Sequence, residues 1–189
     1  MKPGYKKIEL GEMPKEWKLI FLGDVCSLEY GSALRSNERK DGKYPVYGSN
    51  GIIGYHTSYN AKGPSIIIGR KGSIGSVHFS EVDCWAIDTT YFIKFKNESQ
   101  IDIKYFYYYL KKIDLSKLAI TSTIPGINRE IAYKKQIILP CYIEQHKIAT
   151  ILSDIDEQIE IERQRKQKFE TLKKGLMNDL LTGRKRVKI

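Results

Sequence analysis

The sequence predicts an α+β protein, a β-rich head followed by a long C-terminal coiled-coil-type α-helix. Three observations predict it. Up to Pro140 the chain is dominated by Gly, Tyr, Ser and β-branched residues. Beyond Pro140 no proline occurs, and glycine stands only at Gly175 and Gly183. In that second stretch the apolar residues Ile148, Leu152, Ile155 and Ile159 recur at alternating spacings of four and three. A domain boundary is placed there, giving residues 1–141 as the head and 142–189 as a helical spacer and dimerisation region. With 189 residues, 41% hydrophobic and 29% charged, the chain can bury one core and carry an accessory element.

Within the head, Pro45-Val-Tyr47 and Ile52-Ile-Gly-Tyr55 flank Ser49-Asn50-Gly51. Asn-Gly between apolar runs predicts a hairpin closed by a type I′ turn, which needs positive φ at both central residues. Ser65-Ile-Ile-Ile68 and Ile74 to Phe79 flank Gly69-Arg70-Lys71-Gly72-Ser73, a second strand–turn–strand unit. Tyr91 to Phe95 reads as a strand, and Lys134 to Leu139 as a short one ending at Pro140. Asp102 is placed to cap a helix whose apolar face runs through Tyr105, Phe106, Tyr109, Leu110 and Ile113. Tyr105 and Tyr109 are assigned to packing, Tyr107 and Tyr108 to the surface. Asn128 is placed to cap one short turn.

Residues 143–181 read as helix. The seam continues from Ile155 and Ile159 through Glu162 and Lys166 to Phe169, Lys173, Leu176 and Leu180, a heptad pattern with a polar middle. Ser153 and Asp154 resemble a helix start, so a kink or restart is expected there. Gly183 supplies a stop. A lone helix of this length leaves an apolar stripe in water, and a helical partner remedies that, as does folding back on the head.

The net charge is +10 and the sequence pI about 9.4, with an excess of 7 in residues 1–141 and 3 in 142–189. Such a surplus attracts polyanions. Cys26, Cys84 and Cys141 are widely spaced and odd in number, which argues against a disulfide framework or zinc site. Cys84 beside Trp85 reads as core. There is neither an apolar signal core nor a bilayer-length apolar run, so a soluble cytoplasmic protein with reduced thiols is expected.

The chain offers little for catalysis. Gly69-Arg-Lys-Gly72-Ser-Ile-Gly75 lies between strands and opens no helix, so it lacks the context of a phosphate loop. His56, His78 and His146 have no metal-ligand spacing. Neither a nucleophile elbow nor a methyltransferase box is visible. Asp83 and Asp88 have no lysine at nuclease-like spacing.

Three polar loops suit nucleic acid instead. Arg70, Lys71 and Ser73 lie in the glycine-flanked second turn, where an arginine can pair bidentately with guanine. Thr121, Ser122, Thr123, Asn128 and Arg129 form a Gly-Pro loop suited to phosphate and base-edge contacts. Arg35, Arg39, Lys40 and Lys43 form a basic stretch, followed by Tyr47, Ser49 and Asn50. Each loop taken alone also reads as a solvated turn.

Ile8-Glu-Leu-Gly-Glu-Met-Pro14-Lys-Glu-Trp17 followed by Leu22-Gly-Asp-Val25 resembles the opening of a target recognition domain of Type I restriction-modification specificity (S) subunits. Pro45 to Gly54 and Ile67 to Gly75 resemble its glycine-rich strands. Leu139-Pro140, Glu144-Gln145-His-Lys-Ile148 and Ile151-Leu-Ser-Asp-Ile-Asp156 resemble the start of the family's helical spacer. Leu176-Met-Asn-Asp-Leu-Leu-Thr-Gly183 resembles its end. The resemblance implies a non-catalytic subunit that recognises double-stranded DNA. Each recognition domain reads half of an interrupted site, and the long helices pair antiparallel. Methyltransferase (M) and restriction/motor (R) subunits are the implied partners. S-adenosylmethionine belongs to the former, ATP and Mg²⁺ to the complex, and no cofactor to this chain. The sequence departs from the family in having one domain and one helix. A half subunit can homodimerise through Ile155, Ile159, Glu162, Lys166, Phe169, Leu176 and Leu180 and read two identical half-sites in inverted orientation. A recombination cassette or a piece of a longer protein fits the same residues. So do a protein-binding adaptor and the recognition part of a fused restriction–methylation enzyme.

Overall fold

The computed structural model describes residues 4–8, 11–120 and 125–187. It divides into two compact units, residues 1–149 and 150–189. The chain opens with β1 (Tyr5–Ile8), β2 (Gly11–Pro14), β3 (Lys18–Phe21), the single helical turn α1 (Leu22–Val25) and β4 (Cys26–Tyr30). Next come β5 (Tyr44–Gly48), β6 (Gly51–His56), β7 (Ser65–Gly69), β8 (Val77–Ser80), β9 (Trp85–Ala86) and β10 (Thr90–Phe95). Then follow α2 (Ile103–Lys112), β11 (Ala119–Ile120), β12 (Gly126–Ile127), α3 (Arg129–Tyr133), β13 (Gln136–Leu139) and α4 (Tyr142–Leu181).

An antiparallel sheet in the order β4-β10-β7-β8 is the centre of the first unit. Side chains alternate between its faces, and both faces are buried. Ile66, Ile68, Tyr91 and Ile93 point into a large core with Leu28, Phe106, Leu110, Ile127 and Ile137. Ile67 and Phe92, one residue out of phase, enter a smaller core with Tyr47, Ala61, Cys84 and Ala86. That second core faces the sheet β6-β5-β9, in which β5 and β9 run parallel. β13 pairs with β3, and β11 with β12. The α+β class follows from this β-rich unit and the long helix after it.

α2 forms where its cap and spacing place it. The Asp102 carboxylate accepts from the Tyr105 N–H at 2.9 Å, and Tyr105, Phe106 and Leu110 are buried. Tyr107 departs from its surface assignment. It packs against the large core, with its ring 5.4 Å from that of Phe79.

Two local expectations are corrected. Among the described residues no non-glycine residue has positive φ, so Asn50-Gly51 does not form the expected type I′ turn; the turn falls on Ser49 and Asn50, and Gly51, paired with Gly48, has φ 109°. α4 runs unbroken through Ser153 and Asp154. Their preference for a helix start is outweighed by continuous intrahelical bonding on both sides. Gly183, at φ 74°, closes the helix with its N–H donating to the Leu180 carbonyl.

The root of α4 is built into the first unit. Gln145 is 1% exposed. Its side-chain oxygen accepts from the Asp102 N–H, and its amide donates to the carbonyls of Gln100 and Pro140. Glu144 accepts from the Trp17 indole at 2.9 Å, and His146 bonds the Asp102 carboxylate at 2.9 Å. Beyond Ala149 no residue of α4 is buried. Ile155, Ile159, Phe169, Leu176 and Leu180 are all exposed. The polar seam residues form ion pairs along their own helix, Glu162 with Arg165 and Lys166 with Glu170.

Candidate nucleic-acid interface

Arg70 follows β7, and its backbone is held from two sides. Its N–H and that of Lys71 donate to the Thr89 carbonyl, at 2.9 and 3.1 Å, and its carbonyl accepts from the Ile127 N–H at 3.1 Å. The β7–β8 loop is therefore stitched both to the β9–β10 loop and to β12. The approach is close: a Cβ on Gly126 would lie 3.1 Å from the Arg70 carbonyl oxygen, tighter than an ordinary contact. Tyr91 reinforces the join by donating its hydroxyl to the Ile127 carbonyl at 3.0 Å. Burial pushes that hydroxyl up to about 12, Tyr30 adds to the rise, and Arg70 and Arg129 oppose it. It stays protonated, as a donor must.

The β5–β6 turn meets the same loop. The Ser49 carbonyl accepts from the Ser76 hydroxyl and lies 3.2 Å from His78 Nε2. Asn50 Oδ1 and Ser73 Oγ are 3.5 Å apart, at the outer edge of hydrogen bonding. Thus the structure brings Ser49, Asn50, Arg70, Lys71, Ser73, Asn128 and Arg129 into one loop cluster. None of these spacings is visible along the chain.

Tyr30, at the end of β4, joins them. The guanidinium carbon of Arg70 is 4.8 Å from its ring centre and that of Arg129 is 4.9 Å. The Tyr91 ring packs 5.0 Å away. Arg70 also donates to the Asp88 carbonyl at 3.1 Å. Arg129 approaches Glu130 at 3.9 Å. Sequence reading missed Tyr30. Nothing local in the sequence marks it, since its partners come from distant segments.

Other expected residues are placed differently. Tyr47 is 6% exposed and donates its hydroxyl to the Phe79 carbonyl, so it is a core residue rather than a loop contact. The Asn128 oxygen accepts from the N–H groups of Glu130 and Ile131, capping α3. It is therefore occupied and cannot also accept from a base. Arg39 donates to the Ile53 carbonyl at 2.8 Å and lies along β6, Lys43 stacks 5.1 Å from the Tyr44 ring, and Arg35 precedes a short 3-10 turn. Thr121, Ser122 and Thr123 lie outside the described residues.

Among the described residues no group of three or more His, Cys, Asp or Glu could hold a metal, and no helix is long and apolar enough to cross a membrane.

Comparison with known proteins gives a consistent result. The model of the Type I restriction modification DNA specificity domain matches residues 14–171. The MjaVIII specificity subunit of a Type I restriction enzyme from Methanocaldococcus jannaschii is 30% identical, over 97% of this chain and 50% of its own length. The EcoprrI specificity subunit from Escherichia coli is 27% identical, over 75% of this chain and 36% of its own. The chain spans about half the length of the curated relatives it matches most fully. Among solved structures, the S subunit of a Type I restriction-modification system from M. genitalium superposes with a TM-score of 0.73 at 22% identity, covering 86% of this chain and 45% of that one. The HsdS subunit from Thermoanaerobacter tengcongensis gives 0.63 at 16%, covering 93% and 47%. These structures share its fold, a β-rich domain followed by a long helix. The family model covers most of the sequence, and so the chain belongs to the Type I restriction-modification DNA specificity family, with one copy of the domain in its 189 residues.

Proposed function

We propose that this chain is the non-catalytic, sequence-reading component of a Type I restriction-modification complex, one half-site per chain. The observation that carries this reading is the meeting of the β5–β6 turn, the β7–β8 loop and the start of α3 in one cluster, with Arg70 and Arg129 against Tyr30. A positive loop cluster fixed by backbone hydrogen bonds suits a groove of duplex DNA, where phosphate contacts orient and base contacts specify. A net charge of +10 favours the polyanion and makes binding salt-dependent.

Two chains pair through the exposed stripe of α4, presenting two identical half-sites in inverted orientation, and the dimer positions methyltransferase subunits. S-adenosylmethionine, ATP and Mg²⁺ act on those and the restriction/motor subunits, not on this chain. A cytoplasmic setting fits these partners. The test is methylome sequencing of cells that express the chain with a methyltransferase subunit that co-purifies with it. A methylated motif dependent on the chain, bipartite and palindromic, is the expected result. An asymmetric motif removes the homodimer, and no chain-dependent motif removes the whole reading.

A further inference from the structure

The guanidiniums of Arg70 and Arg129 offer donors only. Both guanidinium carbons lie within 5 Å of one ring centre, so the two charges are no more than about 10 Å apart. Like charges that close repel unless something between or beside them is electron-rich. Here the ring face serves Arg70 and Arg129 alike, and the Asp88 carbonyl takes one Arg70 N–H. A guanidinium has five N–H donors and no acceptor. Asn128, immediately before Arg129, spends its side-chain oxygen on the α3 cap.

The cluster is also rigid. Arg70 is tied through its own backbone to Thr89 and Ile127, Arg129 sits in the first turn of α3, and Tyr30 lies in register with Tyr91 across β4 and β10. Tyr30 is nonetheless 48% exposed, so the charges it gathers are not sealed in the core.

A donor-only fork fits a partner with paired acceptors and excludes one that presents a donor in the same place. In the major groove guanine shows two acceptors, N7 and O6, whereas adenine shows N7 beside an amino donor. We propose that Arg70 and Arg129 form a guanine-reading head, and that Tyr30 is the positioning residue that holds both guanidiniums in place for it. This rests on the DNA-recognition reading above. A backbone phosphate presents the same acceptor chemistry, and the experiment separates the two sources.

The full-length chain is used to select from a randomised duplex library, and the enriched sequences are compared among the wild type, Tyr30→Leu, Tyr30→Phe and Arg70→Lys. The wild type should enrich a motif containing at least one G·C pair. Tyr30→Leu should lower the preference for guanine at that pair by roughly 5- to 150-fold, the worth of one bidentate base contact, with the salt dependence of binding retained. Tyr30→Phe, which keeps the ring, should restore it. Arg70→Lys keeps the charge, loses the fork and should lose guanine in the same way; it carries the test if Tyr30→Leu does not fold. Unchanged guanine preference in Tyr30→Leu overturns the positioning role. Equal weakening on every duplex, with a salt slope lower by about one, assigns the pair to phosphate and overturns base reading. If Tyr30→Leu and Tyr30→Phe fail alike, the ring is not the cause and the proposal falls. A wild-type chain that enriches nothing fails the DNA-recognition reading itself, and the proposal with it.

Discussion

The backbone N–H of Asp102 donates to the side-chain oxygen of Gln145 at 3.0 Å, so the residue that caps α2 is itself held by the root of α4. Gln145 makes three such bonds and is 1% exposed. Gln145→Leu keeps the volume and strands one N–H and two carbonyls. It should cost about 2–4 kcal/mol, about 1–3 for the buried Pro140 carbonyl and less for the partly exposed Gln100 carbonyl and Asp102 N–H. Thermal unfolding should show a midpoint lower by about 5–15 °C. Glu144→Ala, facing a Trp17 indole with solvent access, should cost less than about 1 kcal/mol. Equal losses in the two variants would contradict the anchoring role of Gln145.

Two glycines should respond to alanine with opposite signs. Gly75 has φ +79°, and a Cβ there would lie 2.5 Å from the Ser116 nitrogen. Gly75→Ala should destabilise by about 2 kcal/mol or more, combining left-handed strain with a backbone clash. Gly175 lies inside α4 with nothing within 4 Å of an added Cβ. Gly175→Ala should stabilise the helix by roughly 0.8–1 kcal/mol. Urea titration of both variants checks the signs.

The thiols should react unequally. Cys26 and Cys84 are buried, which pushes the first up to about 12 and the second to about 11, while Cys141 is exposed. Iodoacetamide at pH 8 should give one adduct, on Cys141, by mass spectrometry of the native protein. A second adduct without denaturant would contradict the buried placement.

Those raised values also set the alkaline limit. Near pH 8 folded and unfolded chains both hold these protons. Above about pH 9 the unfolded chain releases protons that the folded chain keeps, so stability falls as pH rises. The loss from Cys84 ends near pH 11 and that from Cys26 near pH 12. Each thiol contributes up to about 1.4 kcal/mol per pH unit in its window. The urea midpoint should drop between pH 8.5 and 10.5 (a window of roughly two units in which the unfolded thiol ionises), and less steeply in Cys84→Ala.

The stripe on α4 carries the dimer proposal. Phe169→Asp with Leu176→Asp puts charge on two residues that are 58% and 45% exposed and bear no core load. Light scattering should then report a monomer with an unchanged head. Removal of residues 153–189 should do the same. A protein that stays dimeric after either change rejects the stripe as the pairing surface.

Much of this architecture was legible along the chain because local rules wrote it. Short apolar runs gave β7 and β10, Asp102 and Asn128 capped the helices they precede, and the +4, +3 rhythm gave α4. The polar loops were legible as loops, but their meeting was not. It depends on bonds between residues far apart in sequence, such as Arg70 with Thr89 and Ile127. Tyr30 stayed hidden for the same reason, since its partners lie 40 and 99 positions away. Tyr47 was misread because a tyrosine at a strand end looks alike whether its hydroxyl meets solvent or the Phe79 carbonyl.

The way α4 is rooted has a practical corollary for shuffling heads between such proteins. Trp17, Gln100 and Asp102 each bond a side chain from the helix's first turns. A crossover cut at Pro140 would hand those groups a foreign Glu144, Gln145 and His146 and leave the graft loosely seated. The safe seam lies past Ala149, so that each transplanted head brings its own two turns of stalk.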